Sequence, residues 1–500
     1  MPTAASKRWL ILFAVMLAFV PIVIDMTILH IAVPSLTLAL GASGEQVLWI
    51  IDIYPLLMAG LLVPMGTLAD RVGHRHILLY GLGVFWVASL LAAFAPTAGM
   101  LIGARVLLAL GGAMIMPCVL GIIRRTFEDE KERGLALGLW GTVGAAGAAV
   151  GPLIGGALLE HFWWGSVFLI NVPIMAVVIP VAFVLLPRIE QTTPGKWAIG
   201  QALVLIAGII GVVYGIKASI GATHSLLLAM LVLAAGLGLL VLFSRQQLRS
   251  ATPMLDLSLF AHPALLGGMI MALLTIGALA GVELTLAMEL QYVLDKTPLQ
   301  AGIFMIPIMA GAALGGPVAG YLSNRFGLRA VASLSLATSA GALVFLAFAE
   351  FNAPGFAVPA VLAVLGVALS IGLTASSIAI MGSVDASKGG AAGSLEATAY
   401  ELGTGLGITL FGVFMSKVFG STLSLPNELA PALAERATRS IGDSYVVAGQ
   451  LPAAQGNALI EAAKLAFSST HSVLLTTSAV AIALLAVVVF VLFGRQRQQV

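Results

Sequence analysis

GTLADRVGHR, Gly66 to Arg75, returns further along the chain as GYLSNRFGLR, Gly320 to Arg329. The two stretches align without gaps, pairing Gly66 with Gly320, Asp70 with Asn324, Arg71 with Arg325, Gly73 with Gly327 and Arg75 with Arg329. Each closes an apolar run of roughly 20 residues, the length that crosses a hydrocarbon core about 30 Å thick. A polar motif repeated at the ends of two such runs points to a duplicated bundle of membrane helices.

Working outward in both directions gives fourteen candidate spans, the first near 9–31 and the last near 472–493. The first motif closes span 2 (47–68) and the second closes span 10 (300–322). Spans 2 and 10 are equivalent if two six-helix halves flank two inserted helices, spans 7 and 8 (198–218 and 225–244). The expected fold is therefore all-α integral membrane: fourteen transmembrane helices, two six-helix pseudo-repeats plus two inserted central helices. The expected divisions are 1–190, 191–250 and 251–500, the last with a long external loop at 418–471. Within that loop, Asn427 to Ser440 and Ala453 to Phe467 read as short amphipathic helices: either a hairpin over the external mouth that gates or shields it, or a simple capping of the surface.

Composition agrees with this class. Of 500 residues, 60% are hydrophobic and 9% charged, against about a quarter charged in soluble domains. The partner implied first is the lipid bilayer. A net charge of +2 suggests no nucleic acid. The single cysteine, Cys118, excludes an intramolecular disulfide. The first run, Trp9 to Leu29, holds Asp25 and lacks an obvious cleavage site, so it reads as a retained span rather than a signal. Most of the 24 Lys and Arg, including Lys7, Arg8, Arg124, Arg125, Arg188, Lys196, Lys388, Arg495 and Arg497, fall on one side if both termini are cytoplasmic. Lys217, Lys296, Lys417, Arg436, Arg439 and Lys464 fall on the other.

Ionisable groups inside spans are costly and mark function. Six acids qualify: Asp25, Asp52, Glu283, Glu289, Glu396 and Glu401. Arg105 reads as the one firmly buried base, with His30 and Lys417 near span ends. An acid-rich interior attracts cations and can hold protons, and a carboxylate that releases one to accept the other couples their fluxes. Asp25, Asp52 and Arg105 share the outer halves of spans 1, 2 and 4, so Arg105 is expected to neutralise one aspartate and leave the other free. Glu396 and Glu401 point about 140° apart on a helix and are not expected to act as a pair. Glu289 is expected near the outer interface, shallower than Glu283. Met26, Trp49, Tyr54, Met288, Tyr292 and Tyr400 lie near these acids, and aromatic faces bind quaternary ammonium ions.

A second correspondence joins GAAVGPLIGG, Gly147 to Gly156, with GAALGGPVAG, Gly311 to Gly320. Glycines four apart let helices approach closely in lipid, and Pro152 and Pro317 can bend them. Two readings stand: ordinary tight packing, or bending contact lines between halves that rock.

On these residues the sequence resembles the major facilitator superfamily, and within it the fourteen-span drug:proton antiporters. Gly66, Asp70, Arg71, Gly73 and Arg75 match that family's loop signature G-x-x-x-D-R-x-G-x-R, whose charges the resemblance implies help lock one conformation. The acidic run Glu128, Asp129, Glu130 and Glu132 reads either as a source of partners for Arg71 and Arg75 or as a solvated charge run. Gly147, Gly151, Pro152, Gly155 and Gly156 match the antiporter signature G-x-x-x-G-P-x-x-G-G. Arg105 matches the span 4 arginine, with Leu108 where glutamine is common. Span 1 ends IDMTILHIAVP, with His30 where asparagine is usual, and WIIDIY and FLINVP also look like this group. The resemblance implies proton-driven export of lipophilic mono- and dications across a bacterial inner membrane: quaternary ammonium compounds, methyl viologen, biguanides and dyes. It further implies a monomer and no cofactor beyond the proton gradient.

No G-x-x-x-x-G-K-[ST] loop is present, and Gly195-Lys196 lacks its flanking residues, so transport is expected to be secondary. A proton-coupled transporter of narrow specificity stays open as an alternative, as does a membrane enzyme or receptor. Neither a clustered catalytic constellation nor a metal-binding set stands out; His74 and His76 flank Arg75 in a basic loop.

Overall fold

The apolar runs become helices because lipid offers no water to backbone N–H and C=O groups, and a helix pairs them within one segment. The computed structural model describes residues 4–187, 198–220, 225–250, 253–352, 355–384, 389–426 and 429–494. In chain order the helices are α1 (Ala4–Leu40), α2 (Gly44–Val72), α3 (His74–Ala93), α4 (Ala98–Thr126), α5 (Glu130–His161), α6 (Ser166–Leu169), α7 (Asn171–Leu185), α8 (Ile199–Ile220) and α9 (Leu226–Arg249). There follow α10 (Pro263–Met288), α11 (Pro298–Phe304), α12 (Ile306–Phe326), α13 (Leu328–Ala347), α14 (Ala357–Met381), α15 (Gly389–Thr422), α16 (Pro431–Ala437), α17 (Ile441–Ala448) and α18 (Ala453–Gly494). A π turn, Glu289–Val293, continues α10. The described residues include no strand. Among the described residues fourteen stretches are long and apolar enough to cross a membrane; α6 with α7, α10 with its π turn, and α11 with α12 make one each, while α16 and α17 make none.

The first group packs α1 on α4, α5 and α7, and α2 and α3 on α4; the second packs α10 on α14 and α15, α12 and α13 on α14, and α13 on α18. α8 and α9 lie against each other, and α8 rests on α2. Enclosure follows this plan: 89% of the α2 span is buried against 17% for α9, so α2 is central and α9 faces lipid. The divisions expected at 190/191 and 250/251 touch residues 188–197 and 251–252, which are outside the described residues, as are Arg188, Lys196, Lys388, Arg495 and Arg497.

The repeated motif is a structural repeat. Gly73 joins α2 to α3 at φ 106°, and Gly327 joins α12 to α13 at φ 85°. Each donates its N–H to the carbonyl four residues back, Ala69 at 2.9 Å and Ser323 at 3.0 Å. One residue reverses the chain between two helices, at a φ where a Cβ is strained. The side of the molecule holding these turns is called the turn face here, and the side holding α16 and α17 the cap face.

The cap departs from the expected hairpin. α16 and α17 fall in the first amphipathic stretch (Asn427 is outside the described residues), but Ala453 to Phe467 is no separate helix. It is the start of α18, which runs unbroken for 42 residues. No Pro or Gly interrupts the Ser468–His471 junction, and its hydroxyls bond without breaking the helix: Thr470 donates to Ala466 O at 2.7 Å and Ser468 to Glu289 at 2.5 Å.

Candidate functional site

α1 carries Asp25 and α4 carries Arg105 into the first group's interior, where they are 0% and 1% exposed. Arg105 Nη1 donates to Asp25 Oδ2 at 2.5 Å, and its Nε to Ile50 O at 3.1 Å. The guanidinium lies 4.6 Å from the Tyr54 ring centroid. Asp25 Oδ1 and the Tyr54 hydroxyl have no hydrogen-bond partner among the described residues. Arg105 thus neutralises one aspartate, as the sequence suggested.

The other is not free. Asp52 Oδ2, fully buried on α2, lies 2.6 Å from Lys217 Nζ on α8. It also accepts a hydrogen bond from Thr409 on α15 at 2.7 Å. The Lys217 ammonium sits 3.7 Å from the Trp49 ring centroid. Lys217 is therefore a second buried base, 6% exposed, rather than a residue of the opposite surface. Near a helix end a lysine reads from sequence as snorkelling to the interface; here α8 lies against α2 and the aspartate captures the ammonium. Thr409 was also missed, since nothing local in its sequence marks it.

Glu401, on α15, is 2% exposed, its Oε2 has no hydrogen-bond partner, and it has no ion pair among the described residues. Glu396 accepts from the Tyr400 hydroxyl at 2.9 Å, so the two glutamates have separate environments. Glu283 on α10 faces His30 on α1 at 3.5 Å, which brings the substituted His30 against an acid from the other group. Glu289, expected near the interface, is buried at 4% exposure because α18 packs over the π turn and Ser468 donates to it.

On the turn face Asp70 lies 3.3 Å from Arg125 and 3.6 Å from His74. Arg75 Nη2 donates to Phe183 O at 2.9 Å. Of the acidic run, Glu132 pairs with Arg8 at 2.8 Å, and the Glu130 side chain is outside the described residues. Arg71 has a buried Nη1 without a hydrogen-bond partner and no ion pair among the described residues. Gly66 faces Pro117.

The glycine lines pack mostly within groups, which corrects the idea that they run between them. Gly147, Gly151 and Gly155 pack closely against Val23, Thr27 and Ile28 of α1, and Gly311 and Gly315 abut α14. The end toward the cap face crosses over: a Cβ on Gly156 would lie 2.7 Å from Pro298 O, and one on Gly302 2.8 Å from Pro152 O.

Contacts between the groups gather toward the cap face. There Gly405 and Gly412 of α15 meet Leu56 and Leu48 of α2, and Gln291 donates to Ile31 O at 3.1 Å. The cap binds both sides. Arg436 donates to Gly41 O at 3.0 Å and Gly44 N–H to Asp443 at 2.9 Å, while Tyr445 donates to Tyr292 O at 2.6 Å. Beneath it is a cavity of about 420 Å³ lined by Met288, Tyr292, Phe419 and Phe467, with Lys217 and Glu45 in its wall. Lys417 and Arg439 also line it, so this chamber lacks the acid bias expected of the interior.

A model of the Major Facilitator Superfamily matches residues 15–296. The chain is 45% identical to the methyl viologen resistance protein SmvA of Salmonella typhimurium, covering 96% of this chain and 97% of that one. It is 36% identical to the multidrug efflux pump LfrA of Mycolicibacterium smegmatis, over 98% and 97%. Among solved structures it matches a bacterial homologue of the human lysosomal transporter Spinster, in an inward-facing and unoccupied conformation, with a TM-score of 0.69 at 18% identity and 98% coverage of both chains. Fourteen spans, the doubled glycine turn and these matches agree: the chain belongs to the major facilitator superfamily of multi-pass membrane transporters.

Proposed function

We propose that the protein exports lipophilic mono- and dications in exchange for protons, with Glu401 as the exchanging acid. The observation that carries this is Glu401 itself. Desolvating a lone carboxylate without a countercharge costs several kcal/mol, and among the described residues Glu401 has no ion pair and, unlike Glu289 and Glu396, accepts no hydroxyl hydrogen bond. It can be neutral with a proton or paired with an incoming cation, and one excludes the other. Asp25 and Asp52, by contrast, already hold Arg105 and Lys217. The names of the relatives, methyl viologen resistance and multidrug efflux, support the direction and the substrate class.

The positive residues Arg71, Arg75, Arg124, Arg125, Arg325 and Arg329 all stand at helix ends on the turn face. We assign that face to the cytoplasm by charge bias, which places both termini inside a bacterial inner membrane and the cap outside. The contacts at the cap face then close the outer side.

The test is proton release from purified protein in detergent on adding methyl viologen. Wild type should release protons and Glu401→Gln should not, with binding followed separately. Binding without release in wild type overturns proton exchange and favours a uniporter.

A further inference from the structure

The inserted helices have a use beyond packing. α8 enters the molecule beside α2 and delivers one charged group, the Lys217 ammonium, to a carboxylate on one side and an indole face on the other, at 2.6 Å from Asp52 and 3.7 Å from the Trp49 centroid. A carboxylate and an aromatic face around a positive centre is the environment that recognises an alkylated ammonium. Here the chain's own side chain fills it.

We propose that Asp52 and Trp49 form a second cation seat, held in the resting protein by the tethered ammonium of Lys217, and that one positive centre of a dicationic substrate takes the seat by displacing it. The inference rests on the cation-export reading and refines its substrate class. A dication needs two negative seats; Glu401 supplies the first, and Asp52 the second.

Three features of the structure suit displacement. Lysine is a compact charge on a flexible stem, and although the Lys217 ammonium is itself buried, the residue lies in the wall of the cap cavity, so rotation of the stem carries the ammonium into open space. Glu45 lies in the same wall and can receive it. Finally, Asp52 Oδ1 has no hydrogen-bond partner among the described residues, so the carboxylate has an acceptor that Lys217 does not use. Thr409 ties the same carboxylate to α15. The seat therefore lies where α2, α8 and α15 meet, and its occupant bears on how α2 and α15 separate.

The experiment measures binding of methyl viologen, a dication, and tetraphenylphosphonium, a monocation, to the purified full-length protein, wild type beside Lys217→Met and Lys217→Met/Asp52→Asn. Removing the tether should tighten methyl viologen roughly ten-fold, the size of one such contact, and leave tetraphenylphosphonium unchanged. The gain should vanish in the double variant. A structural counter-ion has no reason to move the ratio of the two affinities. Trp49→Leu, which keeps the ion pair, provides a second reading if Lys217→Met does not fold, and should weaken methyl viologen alone. If wild type binds both cations and neither variant moves the ratio, the seat is wrong and cation export stands. If wild type binds neither cation, export and the seat fall together.

Discussion

Breaking the Asp25–Arg105 pair tests whether the first group is organised around a buried charge. Arg105→Met removes a guanidinium that is 1% exposed and holds a carboxylate, a carbonyl and a ring. Leaving one member of a buried pair uncompensated costs about 3–5 kcal/mol. The lost bond to Ile50 O adds about 1 kcal/mol, and the lost ring contact up to about 2 kcal/mol. These overlap, because one group makes all three contacts, so about 4 kcal/mol is expected rather than their sum. Asp25→Asn keeps an oxygen facing Arg105 but strands its charge, for about 3 kcal/mol. The double variant strands no charge and should cost about 3 kcal/mol instead of roughly 7 kcal/mol, a coupling of about 4 kcal/mol. The assay is equilibrium unfolding of the four proteins in mixed micelles at one pH. A cycle that closes to within about 0.5 kcal/mol would refute the pairing.

Gly73→Ala and Gly327→Ala should each lose about 1–2 kcal/mol of stability, since both glycines hold a φ that a Cβ strains; equal losses in thermal melts would establish the two turns as counterparts, and a neutral variant would deny that one. Gly156→Val should abolish methyl viologen transport in proteoliposomes while binding persists, because the added atoms meet the Pro298–Leu299 backbone of the other group; retained transport would show that this contact need not close. Asp443→Ala removes the acceptor of the Gly44 N–H and a partner of Arg436. It should raise labelling of Met288→Cys, in a Cys118→Ala background, by an impermeant maleimide added from outside, and unchanged labelling would remove the cap from the outer closure.

What could be read from the sequence depended on whether the physics was local. Gly73 and Gly327 were legible because a one-residue reversal between two helices demands glycine wherever it occurs, and the flanking charges sit at fixed offsets from it. Span number was legible because bilayer thickness sets run length. Asp25 and Arg105 were legible as buried charges, since each interrupts an apolar run. The α18 junction was misjudged because His471 and three hydroxyl residues read as a polar break, whereas serine and threonine inside a helix can return their hydroxyls to the backbone one turn back.

Lys217 shows where such reading ends. Its helix position makes it resemble an interfacial lysine, and no residue within a turn of it carries the opposite charge. Only the approach of α8 to α2, through Ile206 and Ile209 against Gly60, sets its ammonium against Asp52. A signal was nonetheless present. With Arg105 the one buried base assigned, Asp25 and Asp52 could not both be neutralised, and an uncompensated aspartate in a span requires a partner from elsewhere in the chain. The inserted helices hold one lysine within an apolar run, and it is Lys217. A charge balance across the whole membrane interior, rather than within each half, would therefore have pointed to α8 as part of the site. By the same balance Glu401, Glu289 and Glu396 are left without a base, and Glu401 alone of the three accepts no hydroxyl hydrogen bond among the described residues, which is why exchange is assigned to it and not to the aspartates.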